Sequence, residues 1–342
     1  MRAARLHRVG EPLRIEEVPT PAVRGREVLV RIAGAGVCHS DVHIRAGALP
    51  LPPTVPLPLT LGHENAGYVE AVGDEVAEVA PGDPVIVWGG RGCGSCRICR
   101  LGDEQVCNMA LWLAYGGYAE FLHLASPRFL VKLHGIDPFA AAPLADAGLT
   151  PYRAIKKALP YVYPGACIAV LGAGGLGHLA LQILKHVSPG VRIAAVDITD
   201  EKLELAGRLG ADYLVDARGD AAAEIRRLTE GEGAQAVIDT VGSDVTLRTA
   251  AAVAGRKSII VLVGIAGGVF PYSFLSVPGE CVVTNCYWGS YTDLQELLEF
   301  AAGGRIRALS RRFALEEVNE ALDLLEHGRI QGRAVIAPQS GS

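Results

Sequence analysis

The sequence holds no run of 18 or more apolar residues, which excludes a membrane-spanning helix of ordinary length. Nor does it carry an excess of positive charge. A formal net charge of −5 and a pI near 6.0 argue against a nucleic-acid binder or a protein held on anionic membranes, and leave room only for a local basic patch. With 50% hydrophobic and 20% charged residues, it lacks the polar bias of a disordered protein. Lysine stands at six positions, methionine at two, and asparagine only at 65, 108, 285 and 319, while arginine is frequent. Few thermolabile residues fit a thermophile, and a GC-rich genome would give the same arginine bias. No apolar stretch follows the charged start Met1 to Arg8, so it does not read as a signal peptide, and the cytoplasm is the expected location.

What is present begins with length. A chain of 342 residues predicts two domains, each able to bury a core without covalent staples. Eight cysteines in such a chain point to metal or catalysis rather than a disulfide framework. The first 140 residues read as β-rich, with strand-like runs at Glu27 to Ile32, Gly67 to Val72 and Val85 to Val87. Ala48 to Thr60 carries prolines at 50, 52, 53, 56 and 58 and reads as a loop. From about Gly165 apolar strands alternate with helices. Strands are expected at 167–171, 192–196, 213–215, 236–238, 258–263 and 282–287, with helices at 176–187 and from an Asp200 cap. That alternation predicts a parallel sheet covered on both faces. From Asp293 the tail returns to amphipathic helices and a last strand at 334–336.

Gly172-Ala173-Gly174-Gly175-Leu176-Gly177 matches G-x-G-x-x-G between a strand and a helix, and Asp197 ends the next strand. The first glycine permits a tight turn, the second lets backbone approach a pyrophosphate, and the third lets helix and strand pack closely. Asp197 can accept from ribose hydroxyls and would repel a 2′-phosphate. With Ile198 and Thr199 following and no arginine, NAD is expected over NADP. Cys93, Cys96, Cys99 and Cys107 lie within fifteen residues on a glycine-rich segment, a spacing that suits a closed, structural tetrahedral zinc, with an iron–sulfur cluster as the rival. Cys38-His39-Ser40-Asp41-Val42-His43 and Gly62-His63-Glu64 hold further metal-ligand types on short turns. Cys167, Cys281 and Cys286 receive no role. Cys281 and Cys286 lie five apart on an expected strand, so their side chains should face opposite ways and not bridge.

Those motifs, with Ala147 to Tyr152 and the terminal Gly332-Arg333, resemble the zinc-dependent medium-chain alcohol dehydrogenases of the shorter prokaryotic and archaeal type, over essentially the whole chain. The resemblance implies an α/β fold: a GroES-like β-rich catalytic domain over 1–147 and 289–342, and a doubly wound Rossmann domain over 148–288, with the active site in the cleft between them. It implies two zinc ions per subunit and NAD. Cys38 and His63 would hold the catalytic zinc. Asp146 stands where the family often has a cysteine, and Glu64 would be a carboxylate able to enter the coordination sphere. Cys93, Cys96, Cys99 and Cys107 would hold the structural zinc. Asp41 would hold His63 from behind. Ser40 would hydrogen-bond the alcohol oxygen, and His43 would pass its proton to solvent. His39, Thr150, Lys202 and Val263 would touch the cofactor beside Gly172, Gly174, Gly175, Leu176, Gly177 and Asp197, and Arg333 would clamp the pyrophosphate.

The implied reaction is hydride transfer between alcohols and aldehydes or ketones. Trp88 and Trp112, with Leu49, Leu51, Val55 and Leu111, would line an apolar pocket suited to hydrophobic substrates. A homodimer or homotetramer is implied, with no nucleic-acid or membrane partner. Two alternatives stay open: a polyol or sugar dehydrogenase of the same superfamily, and a non-catalytic NAD-binding protein that keeps zinc for structure.

Overall fold

The computed structural model describes residues 1–51, 55–108, 115–270 and 272–339. Trp112 and Leu111 of the expected pocket lie outside them. The chain divides into two compact units, Met1–Leu149 with Trp288–Ser342, and Thr150–Tyr287. In chain order the first unit builds β1 (Arg2–Leu6), β2 (Arg14–Glu17), β3 (Val28–Gly36), β4 (Leu59–Thr60), β5 (Glu64–Val72), β6 (Pro84–Val87), β7 (Phe121–Leu124) and β8 (Leu130–Lys132). The second unit holds β9 (Cys167–Leu171), β10 (Arg192–Asp197), β11 (Tyr213–Asp216), β12 (Ala234–Asp239), β13 (Ala254–Leu262) and β14 (Val282–Asn285). The chain then returns to the first unit with β15 (Ser310–Ala314) and β16 (Arg333–Ala337).

In the first unit a seven-stranded sheet runs β15-β16-β3-β5-β6-β8, with β7 also paired to β3, and a three-stranded sheet runs β2-β1-β4. The expected loop before Thr60 therefore ends in a short strand, because Leu59 and Thr60 pair with Leu6 and Arg5. One apolar core, including Val28, Val30, Ile32, Val69, Val85, Leu322 and Ile336, joins the sheets to the helix Val318–Glu326. Adjacent registers set Gly36 opposite both Glu64 and Val335, two residues from Arg333. Glu64 and Arg333 are both essentially without solvent exposure.

The second unit is a parallel sheet in the order β11-β10-β9-β12-β13-β14, the crossing order of dinucleotide-binding folds. Every residue of β9 and β12 is buried, as central strands covered on both faces must be. The helix Gly177–Val187 follows β9 and is buried through Leu184. Asp200 does not cap its helix. Thr199 is the N-cap without a side-chain bond, and Asp200, already helical, turns its carboxylate to Arg218. β14 is shorter than expected and leaves Cys281 and Cys286 just outside it. Ser258 Oγ donates to Cys281 Sγ at 3.2 Å, Cys286 Sγ donates to the Thr150 carbonyl at 3.4 Å, and all eight cysteines are free. Among the described residues no helix is long and apolar enough to cross a membrane.

Gly36 illustrates how tightly the first unit closes. A Cβ there would lie 1.9 Å from Glu64 Oε2, so only glycine admits the buried Glu64–Arg333 pair. Gly36→Ala is expected to lower stability by roughly 3 kcal/mol, because breaking a buried pair strands both charges. Urea unfolding of the variant against the parent checks this.

Candidate metal centres and nucleotide cradle

Cys38 is the N-cap of the helix His39–Ala46, with extended backbone. The third helical residue, Asp41, accepts from Cys38 N at 3.1 Å, and Asp41 N donates to the Cys38 carbonyl at 3.0 Å. This reciprocal cap fixes the start of the helix. Asp41 is wholly buried and also accepts from Gly62 N at 3.1 Å and from the Tyr118 hydroxyl at 2.9 Å. Burial pushes the Asp41 carboxyl up, but the neighbouring His63 and the backbone N–H groups outweigh it and hold Asp41 below the usual carboxylate range. Burial and the adjacent carboxylate push the Tyr118 phenol well up, so it stays a neutral donor.

His63 Nδ1 lies 3.4 Å from Asp41 Oδ1, and the opposite nitrogen, Nε2, lies 3.3 Å from Asp146 Oδ2. Cys38 Sγ is 3.9 Å from the same Asp146 oxygen and 3.6 Å from Ser40 Oγ. One donor atom each from Cys38, His63, Glu64 and Asp146 falls within 4.8 Å of the others. A thiol, an imidazole and two carboxylates converging on one point, with Cys38, His63 and Glu64 buried, form a donor set that suits zinc. Glu64 is also engaged elsewhere. Arg333 Nε donates to Glu64 Oε2 at 2.9 Å, and Arg333 Nη2 donates to Oε1. Burial pushes the Glu64 carboxyl up while Arg333 pulls it down, and Arg333 itself stays protonated. Arg333, expected at a pyrophosphate, is thus a 1% exposed partner of Glu64 at the rim of the donor set.

The four-cysteine lobe offers an independent fit. Its sulfur separations are 3.5 Å (Cys96–Cys99), 3.8 Å (Cys93–Cys99) and 3.9 Å (Cys96–Cys107). A tetrahedral zinc with bonds of about 2.3 Å requires edges of about 3.8 Å. Gly92 makes room: a Cβ there would sit 2.7 Å from Cys99 Sγ. Arg128 clasps the lobe, donating to both Glu104 oxygens (2.7 and 3.0 Å) and to the Gly92 carbonyl (2.9 Å). Hydrogen bonds from Ser95 pull the exposed Cys93 thiol down to about 6, while burial and the neighbouring thiols push Cys99 up to about 12.

In the second unit the glycine loop follows β9. Gly172 has φ +87°, which a side chain would strain, and a Cβ at Gly177 would strike the Gly172 carbonyl at 1.9 Å. The Cβ position of Gly174 meets nothing within 4 Å, so backbone there can be approached closely by a ligand. Gly174, Gly175 and Leu176 are half-buried before the helix N-terminus, whose partial positive charge favours an anion. Asp197, at the end of β10, accepts from Ala173 N (2.8 Å) and Thr199 N (3.0 Å). Its carboxylate is thereby aimed beside the loop. These features fit a dinucleotide.

The remaining expected residues are distributed as follows. Val263 is buried just after β13, Thr150 is buried, and Lys202 is half-exposed on the helix after β10. His39 is exposed, and its ring lies 6.2 Å from that of His43 on the same helix. Partial burial pushes the His43 imidazole below its ordinary value, against a weaker upward pull from Glu326. Trp88, expected to line a pocket, is 2% exposed, donates to the Gly289 carbonyl at 2.9 Å and packs edge-on against Tyr291, as a core residue does. Among the described residues, the aromatic rings that flank His63 are Tyr115 (5.2 Å) and Trp288 (5.7 Å). Neither belongs to a motif or a periodic run, so nothing in the linear pattern marks them. Tyr118 was missed for the same reason.

Comparison with known proteins follows the same lines. The alcohol dehydrogenase GroES-like domain matches residues 24–135, and the zinc-binding dehydrogenase domain matches residues 175–303. The chain is 41% identical to the NAD-dependent alcohol dehydrogenase of Sulfurisphaera tokodaii, covering 99% of this chain and 100% of that one. It is 36% identical to a D-arabinose 1-dehydrogenase (NADP(+)) of Saccharolobus solfataricus, with 98% and 97% covered. The crystal structure of the alcohol dehydrogenase of Aeropyrum pernix, a hyperthermophilic archaeon, superposes with a TM-score of 0.92 at 42% identity, covering 99% of this chain and 100% of that one. With full-length relatives at this identity and both domain signatures in order, the chain belongs to the zinc-binding alcohol dehydrogenase family.

Proposed function

We infer that this protein is an NAD-dependent, zinc-dependent alcohol dehydrogenase that interconverts alcohols with aldehydes or ketones. The observation that carries this reading is the convergence of Cys38, His63, Glu64 and Asp146 donors beside Ser40, in a chain that also holds a dinucleotide cradle. Cys38, His63 and Asp146 would hold the catalytic zinc, with Glu64 poised beside them, and Cys93, Cys96, Cys99 and Cys107 the structural one. When bound, zinc acidifies the alcohol hydroxyl and NAD accepts the hydride. Ser40 Oγ, 3.6 Å from Cys38 Sγ, receives the hydroxyl proton of a substrate at that site. His43, one turn along the same helix, takes the proton on toward solvent, and its lowered proton affinity keeps it neutral and able to accept at pH 7. Asp41 fixes the orientation of His63. Gly172, Gly174, Gly175, Leu176 and Gly177 bind the pyrophosphate, Asp197 the adenosine ribose, and His39, Thr150, Lys202 and Val263 further parts of the cofactor. Arg333 acts on this site chiefly through Glu64.

Hydrophobic alcohols and ketones are the substrates this reading favours, because the rings beside His63 are those of Tyr115 and Trp288. The second reading, a sugar dehydrogenase, draws on the D-arabinose relative. The assembly is a homodimer or homotetramer. β14 closes one edge of the parallel sheet, and on the same unit Phe274 and Leu275 are 97% and 89% exposed, a combination that suits burial against a second copy. Free thiols destined for metal suit the reducing cytoplasm.

NADH formation and consumption across aliphatic, benzylic, cyclic and polyol substrate pairs tests the assignment. Hydrophobic pairs should turn over fastest, and turnover confined to polyols would replace it with the sugar reading. Asp146→Ala should lose one of two zinc ions by metal analysis and about a thousandfold in kcat. Full zinc content would remove Asp146 as a ligand. In the parent, kcat/KM for oxidation should fall as pH drops through a value below the ordinary 6.5 of histidine, where His43 becomes protonated and can no longer accept. His43→Ala should lower oxidation about 100-fold at pH 7 and erase that limb of the pH profile.

A further inference from the structure

Trp288 combines three features that no motif accounts for. Its φ is +49°, a backbone region that bulky residues rarely occupy, so the chain carries strain to place an indole where glycine would sit at ease. Its ring fills a slot that exists only because residue 89 is glycine: a Cβ on Gly89 would lie 2.1 Å from Trp288 Cζ2. Two of its contacts reach the mixed donor set, one at a donor residue and one at the residue beside a donor. The indole meets the His63 ring at 5.7 Å and 78°, and Nε1 donates to the Ala145 carbonyl at 2.8 Å.

The second contact matters because of peptide geometry. The Ala145 carbonyl and the Asp146 N–H share one rigid plane with the Asp146 Cα, so holding the oxygen restricts where that Cα, and the side chain it carries, can lie. Asp146 closes a single 3₁₀ turn, its N–H reaching the Pro143 carbonyl at 3.4 Å. We propose that Trp288 is a positioning residue of the mixed metal site, restraining Asp146 through the Ala145 carbonyl and bracing His63 through its ring edge, with Gly89 as its required seat. This rests on the reading of Cys38, His63 and Asp146 as zinc ligands.

The test uses the zinc-loaded protein and a chromogenic chelator, following release of each of two zinc ions. Trp288→Phe keeps an aromatic ring but loses the N–H donor, and Gly89→Ala keeps the tryptophan but evicts its ring. Both should speed release from the mixed site about tenfold, the lower end of what loss of an outer hydrogen-bond partner costs a metal. Release from the four-cysteine site should not change. The double variant should release no faster than Trp288→Phe alone, because a phenyl ring lacks the Cζ2 that Gly89 accommodates. Cobalt placed in the mixed site should show shifted visible absorption bands in both single variants. Unchanged release and unchanged cobalt bands, with only a lower Tm, would make Trp288 ordinary packing and overturn the proposal. A parent protein that holds a single zinc would instead overturn the metal-site reading beneath it.

Discussion

Asp41 accepts hydrogen bonds from Cys38 N, Gly62 N and the Tyr118 hydroxyl, and faces His63 across 3.4 Å. A buried carboxylate without such donors would be costly, because desolvation opposes its charge. With them it becomes the tie between two distant stretches of chain, the helix start that carries Cys38 and Ser40 and the turn that carries His63 and Glu64. Both donor-bearing turns are thus referenced to one carboxylate. Loosening it would move a thiol, an imidazole and a hydroxyl together.

Around that tie the first unit concentrates charge in its interior. Glu64 and Arg333 pair where β3, β5 and β16 meet, with glycine at 36 to admit them. Buried pairs seldom add net stability over apolar packing, so their retention here points to position rather than strength. The pair fixes Glu64 beside Cys38, His63 and Asp146, with one donor atom of each within 4.8 Å of the others. A hydrophobic substitute would fill the same volume and remove a carboxylate from that donor cluster. Proteins break local rules of this kind at functional sites, and the strained Trp288 is a second instance in the same unit.

Much of the fold was legible in the linear pattern. The strands of the second unit read as continuous apolar runs because both faces of that sheet are covered, and the glycine loop was marked by residues whose backbone needs are specific. The β-rich first unit was legible as a class, less so in detail. β4 is two residues long and exists only because β1 offers it an edge. Asp200 carried a cap residue's identity but lies one residue inside the helix, where its carboxylate pairs with Arg218. Trp88 looked like a pocket residue from its place near the cysteine lobe, yet core packing and the Gly289 carbonyl claimed it.

By itself the sequence determined which atoms this protein can offer a metal or a nucleotide. Thiols at 93, 96, 99 and 107 sit close enough along the chain to meet within one lobe, and the glycines of 172–177 dictate their own turn. Tertiary structure alone decided the rest. It brought Asp146 and Cys38, 108 residues apart, to 3.9 Å, turned Arg333 onto Glu64, and set Trp288 and Tyr115 rather than Trp88 beside His63. The reason is physical. Local motifs specify geometry through bonds within a few residues, whereas partners drawn from separate strands meet only once sheet register and core packing have fixed where each strand lies.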